Sequence, residues 1–177
     1  MRVHLTKFAA RKALKTKPGM TMPELIVCLV VTMIVASFAY ALYIYVMESY
    51  RSYQTQQSIS ILATTIEQLY SQQGGYLGLN NNALQNSDLL PRSFIRGNAL
   101  ISPLGGPITV ASGSDGTNFS ITLGGLKKKA CVSLSTNQIE GWGSVSVNGR
   151  SLNRGTVVSE AVGNCSDTGN SVTFVSH

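Results

Sequence analysis

The segment Lys17-Pro18-Gly19-Met20-Thr21-Met22-Pro23-Glu24 runs directly into Leu25–Val46, 22 residues without one charged side chain. At about 1.5 Å per residue, a helix over that run is roughly 33 Å long, enough to cross a hydrocarbon core of about 30 Å. The run exceeds the roughly 7–15 apolar residues of a secretory signal core. The carboxylate at its threshold, Glu24, needs a reason to be there. An ionised carboxylate beside hydrocarbon costs several kcal/mol unless it is paired.

Charge distribution orients the span. Residues 1–19 carry Arg2, Lys7, Arg11, Lys12, Lys15 and Lys17 and no acid. The rest of the chain carries eight basic and eight acidic residues, so the whole formal net charge of +6 lies ahead of the apolar run. A basic surface spread over a domain would point to a polyanion partner. A basic block in front of an apolar span is instead a topology signal: it holds the N-terminus in the cytoplasm and places everything after Val46 outside.

Cleavage after Gly19 would account for Glu24. Met20 would then carry a free α-amino group one helical turn from Glu24, near a helix N-terminus where negative charge is favoured. In a polymer, the carboxylate of one subunit could instead neutralise the amine of its neighbour and set apolar helices into a staggered bundle. Of the three cysteines, Cys28 lies inside the apolar run, where a thiol behaves as a small hydrophobe. Cys131 and Cys165 lie in the exported part, where an oxidising compartment makes a disulfide the default expectation. Closing a loop of about 35 residues, the bond is worth roughly 3–4 kcal/mol on the chain-entropy model.

Residues 20–73 contain no glycine, and Pro23 is their single proline. They predict one long helix with two unlike halves. The first is apolar all round, with residues 25–46 in the membrane. The second, from Met47, is polar with a stripe at Ile59, Leu62, Ile66, Leu69 and Tyr70 on one helical face, which predicts packing on the chain's own C-terminal part. Gly74-Gly75 predicts the helix stop. Residues 76–106 read as an irregular connection with a helical turn near Ala83–Leu90. Strand patterning follows at Phe119–Leu123, at Ser144–Val147 before the hairpin dipeptide Asn148-Gly149, and at Val172–Phe174; a short helix over Lys127–Thr136 holds Cys131. The fold class is α+β: a long N-terminal helix packed on a small, mainly antiparallel sheet. Three regions result: a basic leader (1–19), the helix (20–73) and a globular head (74–177).

A basic leader ending in Gly19, Glu24 five residues beyond it and about twenty apolar residues resemble the type IV prepilin class. The long leader and Met20 at the first mature position resemble its type IVb branch, as in bundle-forming and toxin-coregulated pili. Ala130-Cys131-Val132, Cys165 and a closing strand over Asn170–Val175 resemble the disulfide-closed end of type IVb pilins. The resemblance implies a pilin fold and a prepilin peptidase that cuts Gly19–Met20 and N-methylates Met20. It implies that Glu24 guides docking into the pilus, and that Cys131 and Cys165 bound a variable surface region. It further implies the inner-membrane assembly machinery as partner, the membrane as first location and an extracellular homopolymeric filament as last. Pro23 departs from the family, which has an aliphatic residue there; in the first helical turn its missing N–H is tolerable.

The remaining signals are plain. Lys127-Lys128-Lys129 reads as a solvated face, with contact to an anionic surface as the sharper alternative. Tyr40, Tyr43, Tyr45, Tyr50 and Tyr53 read as an interfacial belt, with helix–helix contact as the other option. Asp115-Gly116 is a turn signal, short of the oxygen ligands of a calcium loop. His4 and His177 lie near the chain ends, and no nucleophile motif, metal cluster or cofactor signature is present. The expected function is a structural, non-enzymatic pilus subunit serving adhesion, aggregation or conjugative contact with a host or bacterial surface. A minor pilin or type II secretion pseudopilin is the alternative; a signal-anchored extracytoplasmic binding domain leaves Glu24 unexplained.

Overall fold

The computed structural model describes residues 21–91 and 94–177. The chain divides into a first unit that ends at Tyr43 and a second, compact unit spanning Ile44–His177. The long helix α1 (Met22–Tyr70) opens with the Leu25 amide donating to the Thr21 carbonyl at 3.1 Å. Pro23 therefore sits in the first turn, where an N–H has no intrahelical acceptor. All residues of α1 within the first unit are exposed.

Within the second unit, α1 has a buried face. Ile59, Leu62, Ile66 and Tyr70 are buried, and Leu69 packs against the same cluster. Thr55 continues this face one turn earlier and is fully buried. The sequence stripe omits it because it is polar, but its hydroxyl donates to the Arg51 carbonyl at 2.8 Å, so burial strands no donor. After Tyr70 the chain turns through Gly74, at φ +68°, and Gly75, whose Cα lies so close to the Gly116 carbonyl that a Cβ would stand 2.9 Å from its oxygen. The glycine pair thus ends the helix and lets the next segment lie against the 112–118 turn, where Tyr76 N–H donates to Gly116 O at 2.7 Å.

The connection that follows is more ordered than its composition suggests. Helix α2 (Asn81–Asn86) starts two residues before the expected helical turn, because the Asn80 side chain accepts from Ala83 N–H at 2.9 Å and caps it. The short strands β1 (Ile95–Arg96) and β2 (Ala99–Leu100) form a separate antiparallel hairpin. The main sheet contains β3 (Ile108–Ser112), β4 (Phe119–Leu126), β5 (Ser144–Val147), β6 (Arg150–Ser151) and β7 (Asn170–Val175), in the order β3-β4-β7-β5-β6, with every pair antiparallel. Asn81 shields the β3 edge: its amide donates to Ile108 O at 2.9 Å and accepts from Val110 N–H at 2.7 Å, occupying groups that an edge strand otherwise offers to another chain.

The last strand lies in the middle of the sheet, between β4 and β5. Register then sets the core. Val110 pairs with Ile121, Ile121 with Phe174 and Phe174 with Val145; Ile108 pairs with Leu123, Leu123 with Val172 and Val172 with Val147. These two cross-strand rows are buried along their whole length. The alternate residues face outward, where the Thr122 and Thr173 hydroxyls meet at 2.9 Å. Fully burying each such aliphatic or aromatic side chain stabilises by about 1.5–3 kcal/mol. The β5–β6 turn is Asn148-Gly149, with φ of 50° and 81°, the double positive φ that a two-residue hairpin of this hand requires.

Helix α3 (Lys128–Asn137) carries the chain from β4 to β5, a 3-10 turn follows at Ile139–Gly141, and helix α4 (Val157–Asn164) precedes Cys165. The sequence gives little warning of α4, because Val157, Val158 and Gly163 are weak helix formers. Its supports are tertiary: Ala161 is fully buried, and Cys165, directly after the helix, is covalently tied. β3 is likewise absent from the sequence expectation, being five residues long and directly after Pro107.

Candidate assembly site

Every residue from Thr21 to Val46 is exposed. An 18-residue window of this helix reaches a mean hydropathy of 2.6, and none of that window is buried. Exposed apolar side chains face all directions, among them Leu25 at 47%, Val35 at 61% and Phe38 at 69%. Aligned helical hydrogen bonds satisfy the backbone internally, which is the condition for lying in hydrocarbon. Two aliphatic hydroxyls within the span, those of Thr32 and Ser37, are satisfied in the same way. Thr32 Oγ1 donates to Leu29 O and Ser37 Oγ to Met33 O, both at 2.8 Å. Cys28 is a free, exposed thiol on this surface.

Glu24 lies in the first turn of α1 and is exposed. The free N–H groups there make the helix start favourable for a carboxylate. Gly19 and Met20, the expected processing pair, lie outside the described residues.

Beyond the uncharged run, α1 becomes polar and self-bonded. Gln54 Nε2 donates to the Tyr50 hydroxyl at 3.0 Å and Gln57 Nε2 to the Tyr53 hydroxyl at 3.2 Å, so both tyrosine tips are tethered one turn along the helix. Glu48, Ser49, Ser52, Tyr53 and Gln56 form one wall of a groove of about 280 Å³, with Lys129, Ser133 and Asn137 of α3 opposite. Lys129 Nζ stands 4.5 Å from the Tyr45 ring centroid, a cation–π contact. The lysine triplet remains exposed, but its third member has an aromatic partner that sequence spacing could not show.

The expected bond between Cys131 and Cys165 is present, joining α3 to the residue after α4 with Cα atoms 6.1 Å apart. Both cysteines are buried. An amide cluster closes the same region. Buried Asn170, at the start of β7, donates to Leu126 O at 2.9 Å and Ser166 O at 2.7 Å, and accepts from Ser166 N–H at 2.7 Å. Asn148 donates to Asn164 O at 2.8 Å and accepts from Ser171 N–H at 2.9 Å. The β5–β6 turn, the disulfide loop and the central strand are thereby fastened together. Asn148 reads as a turn residue in the sequence; its second task, bonding to segments 16 and 23 residues away, has no local signal. In the first turn of α4, the Glu160 carboxylate accepts from the Thr156 hydroxyl and from Asn153 N–H, and these bonds hold its pKa below the usual carboxylate value. Among the described residues, no group of three or more His, Cys, Asp or Glu side chains is placed to hold a metal ion.

The chain matches a family model described as PilS N terminal over residues 49–177. The crystal structure of TcpA, a type IV pilin from Vibrio cholerae El Tor biotype, superposes with a TM-score of 0.53 at 17% identity, covering 72% of this chain and 99% of that one. The type IV b pilin from Salmonella typhi superposes with a TM-score of 0.54 at 24% identity, covering 68% of this chain and 95% of that one. No curated protein sequence matches the chain. At these identities the structural likeness establishes the fold.

Proposed function

We propose, from a chain that belongs to the PilS N-terminal family and has the type IV pilin fold, that this protein is the repeating structural subunit of a type IVb pilus. One observation carries the reading. The second unit buries Ile59, Leu62, Ile66 and Tyr70 of its own helix stripe, whereas residues 21–46 bury nothing. An apolar surface of that extent has two stable settings: the lipid of a bilayer, and contact with the same surface of other copies. A pilin uses both in turn.

In this reading the prechain rests in the inner membrane with its basic leader in the cytoplasm and residues 47–177 outside. A prepilin peptidase cuts Gly19–Met20 and methylates the new amine. The assembly machinery then draws the helix out of lipid into a filament, where Glu24 of one subunit pairs with the Met20 amine of another. That pairing removes two charges from an apolar bundle together, which is why each needs the other. The role is structural, and the filament serves adhesion, aggregation or conjugative contact.

The test is the N-terminus of the subunit in sheared surface filaments, read by intact-mass and peptide mass spectrometry. The reading expects a chain beginning with N-methylated Met20 and retaining the Cys131–Cys165 bond. A filament subunit that still begins at Met1 would overturn it.

A further inference from the structure

Lys127, Lys128 and Lys129 are consecutive and exposed at the start of α3. The rest of residues 20–177 carries five basic and eight acidic side chains, so this triplet is the one basic block in the exported part. Its position is tied to the end of the apolar run. Lys129 Nζ lies 4.5 Å from the ring of Tyr45, the penultimate residue of Leu25–Val46. Ile44 and Val46 beside that tyrosine are 49% and 60% exposed. Two carboxylates belong to the neighbourhood: Glu48 lines the groove with Lys129, and Asp167 approaches through its backbone carbonyl, which accepts from Lys128 N–H at 3.1 Å. Three ammonium groups against two carboxylates leave a positive excess.

We propose that Lys127–Lys129 form a headgroup site for an anionic phospholipid, in the leaflet of the bilayer from which α1 emerges. The proposal rests on Leu25–Val46 spanning that bilayer. An anionic phospholipid matches both parts of the surface: its phosphate meets the ammonium groups, and its acyl chains lie along Ile44 and Val46. A nucleic acid or other polyanion would meet the lysines and leave the apolar side chains uncovered. The site holds the head against the membrane surface while the subunit waits for assembly. Basic side chains near an anionic membrane surface each strengthen association by roughly fivefold, and salt screens the effect.

The experiment uses the full chain reconstituted in phosphatidylcholine vesicles containing spin-labelled phosphatidylglycerol or spin-labelled phosphatidylcholine. The readout is the motionally restricted lipid fraction. The wild type should restrict phosphatidylglycerol several-fold more than phosphatidylcholine, and high salt should remove the difference. The triple variant Lys127→Gln/Lys128→Gln/Lys129→Gln should lose most of the preference although the basic leader is intact, and the corresponding triple Lys→Arg variant should keep it. Equal restriction of both lipids, or a preference unchanged in the Gln variant, would overturn the site. So would a variant that keeps its lipid preference but loses binding to DNA. Flotation with pure phosphatidylcholine vesicles checks the span separately: a chain that fails to float refutes the membrane reading itself, whereas one that floats without lipid preference refutes only the headgroup site.

Discussion

The two halves of α1 share a backbone conformation and differ in where their apolar side chains go. Between Ile59 and Tyr70 the apolar residues except exposed Ile61 form one stripe, and Ile59, Leu62, Ile66 and Tyr70 belong to the same buried cluster as Phe119 and Ile121. From Leu25 to Val46 the apolar residues point in every direction, and all are exposed. A stripe asks for one partner and finds it in the same chain. An all-round apolar surface asks to be surrounded, which a single small domain cannot do. The contrast separates two kinds of stability: that of the folded head, and that of the assembly in which the free half is covered.

The comparison is sharpened first at Glu24. Glu24→Ala should abolish surface filaments, a loss of about a hundredfold or more by sheared-pilin immunoblot, while the chain is still processed and its head keeps the same melting temperature. Normal filaments from this variant would remove the proposed pairing. Within the helix, Ile66→Ala should destabilise the head by about 2–5 kcal/mol, as for other buried aliphatic truncations. Val35→Ala, on the exposed half, should leave head stability unchanged. Denaturant unfolding of the full chain in mild detergent, followed by near-UV circular dichroism from Trp142, measures both. Equal destabilisation by the two substitutions would dissolve the distinction.

Replacing the disulfide by Cys131→Ser/Cys165→Ser should cost roughly 2–5 kcal/mol of head stability in the same assay, with the helix content of residues 21–46 unaffected. The smallest expected effect is a pH dependence of the head. Thr156 and Asn153 hold the Glu160 pKa down, and Thr117 does the same for Asp115. A depressed carboxylate contributes stability that is fully present above its ordinary pKa and is lost as pH falls through the lowered one. Acid titration of the melting temperature should show a shallow loss below the ordinary carboxylate range, slightly shallower in Glu160→Gln. Asp115 is exposed and Glu160 is only partly buried, so the change stays small.

Much of this division is legible in the residues because both halves of α1 obey simple periodicities. An uncharged run of membrane length and a five-residue stripe are local patterns, and so are Asn148-Gly149 and the alternation in β4, β5 and β7. The features that stay hidden depend on distant groups. Thr55 can be buried because its hydroxyl donates to the Arg51 carbonyl of its own helix. Asn81 reads as loop composition until β3 runs beside it, and α4 is helical against its own propensities because Ala161 and Cys165 anchor it. Asn170 looks like the first residue of a strand; its role as the buried tie between β4 and the disulfide loop exists only once β7 lies in the centre of the sheet. At the candidate site, Glu24 stands out in the sequence by being a charge where none is expected. Lys129 does not, since nothing local places it over Tyr45.

Cys28 offers the most direct check on the claim that the free half of α1 is covered by neighbouring copies. It is the free thiol of the described chain and is exposed on that surface. Sheared filaments, already out of the membrane, can be treated with a water-soluble maleimide before and after dispersal in SDS, and labelling read by mass spectrometry. The account predicts that Cys28 is protected in the filament and labelled fully after dispersal. Rapid labelling of Cys28 in intact filaments would contradict it.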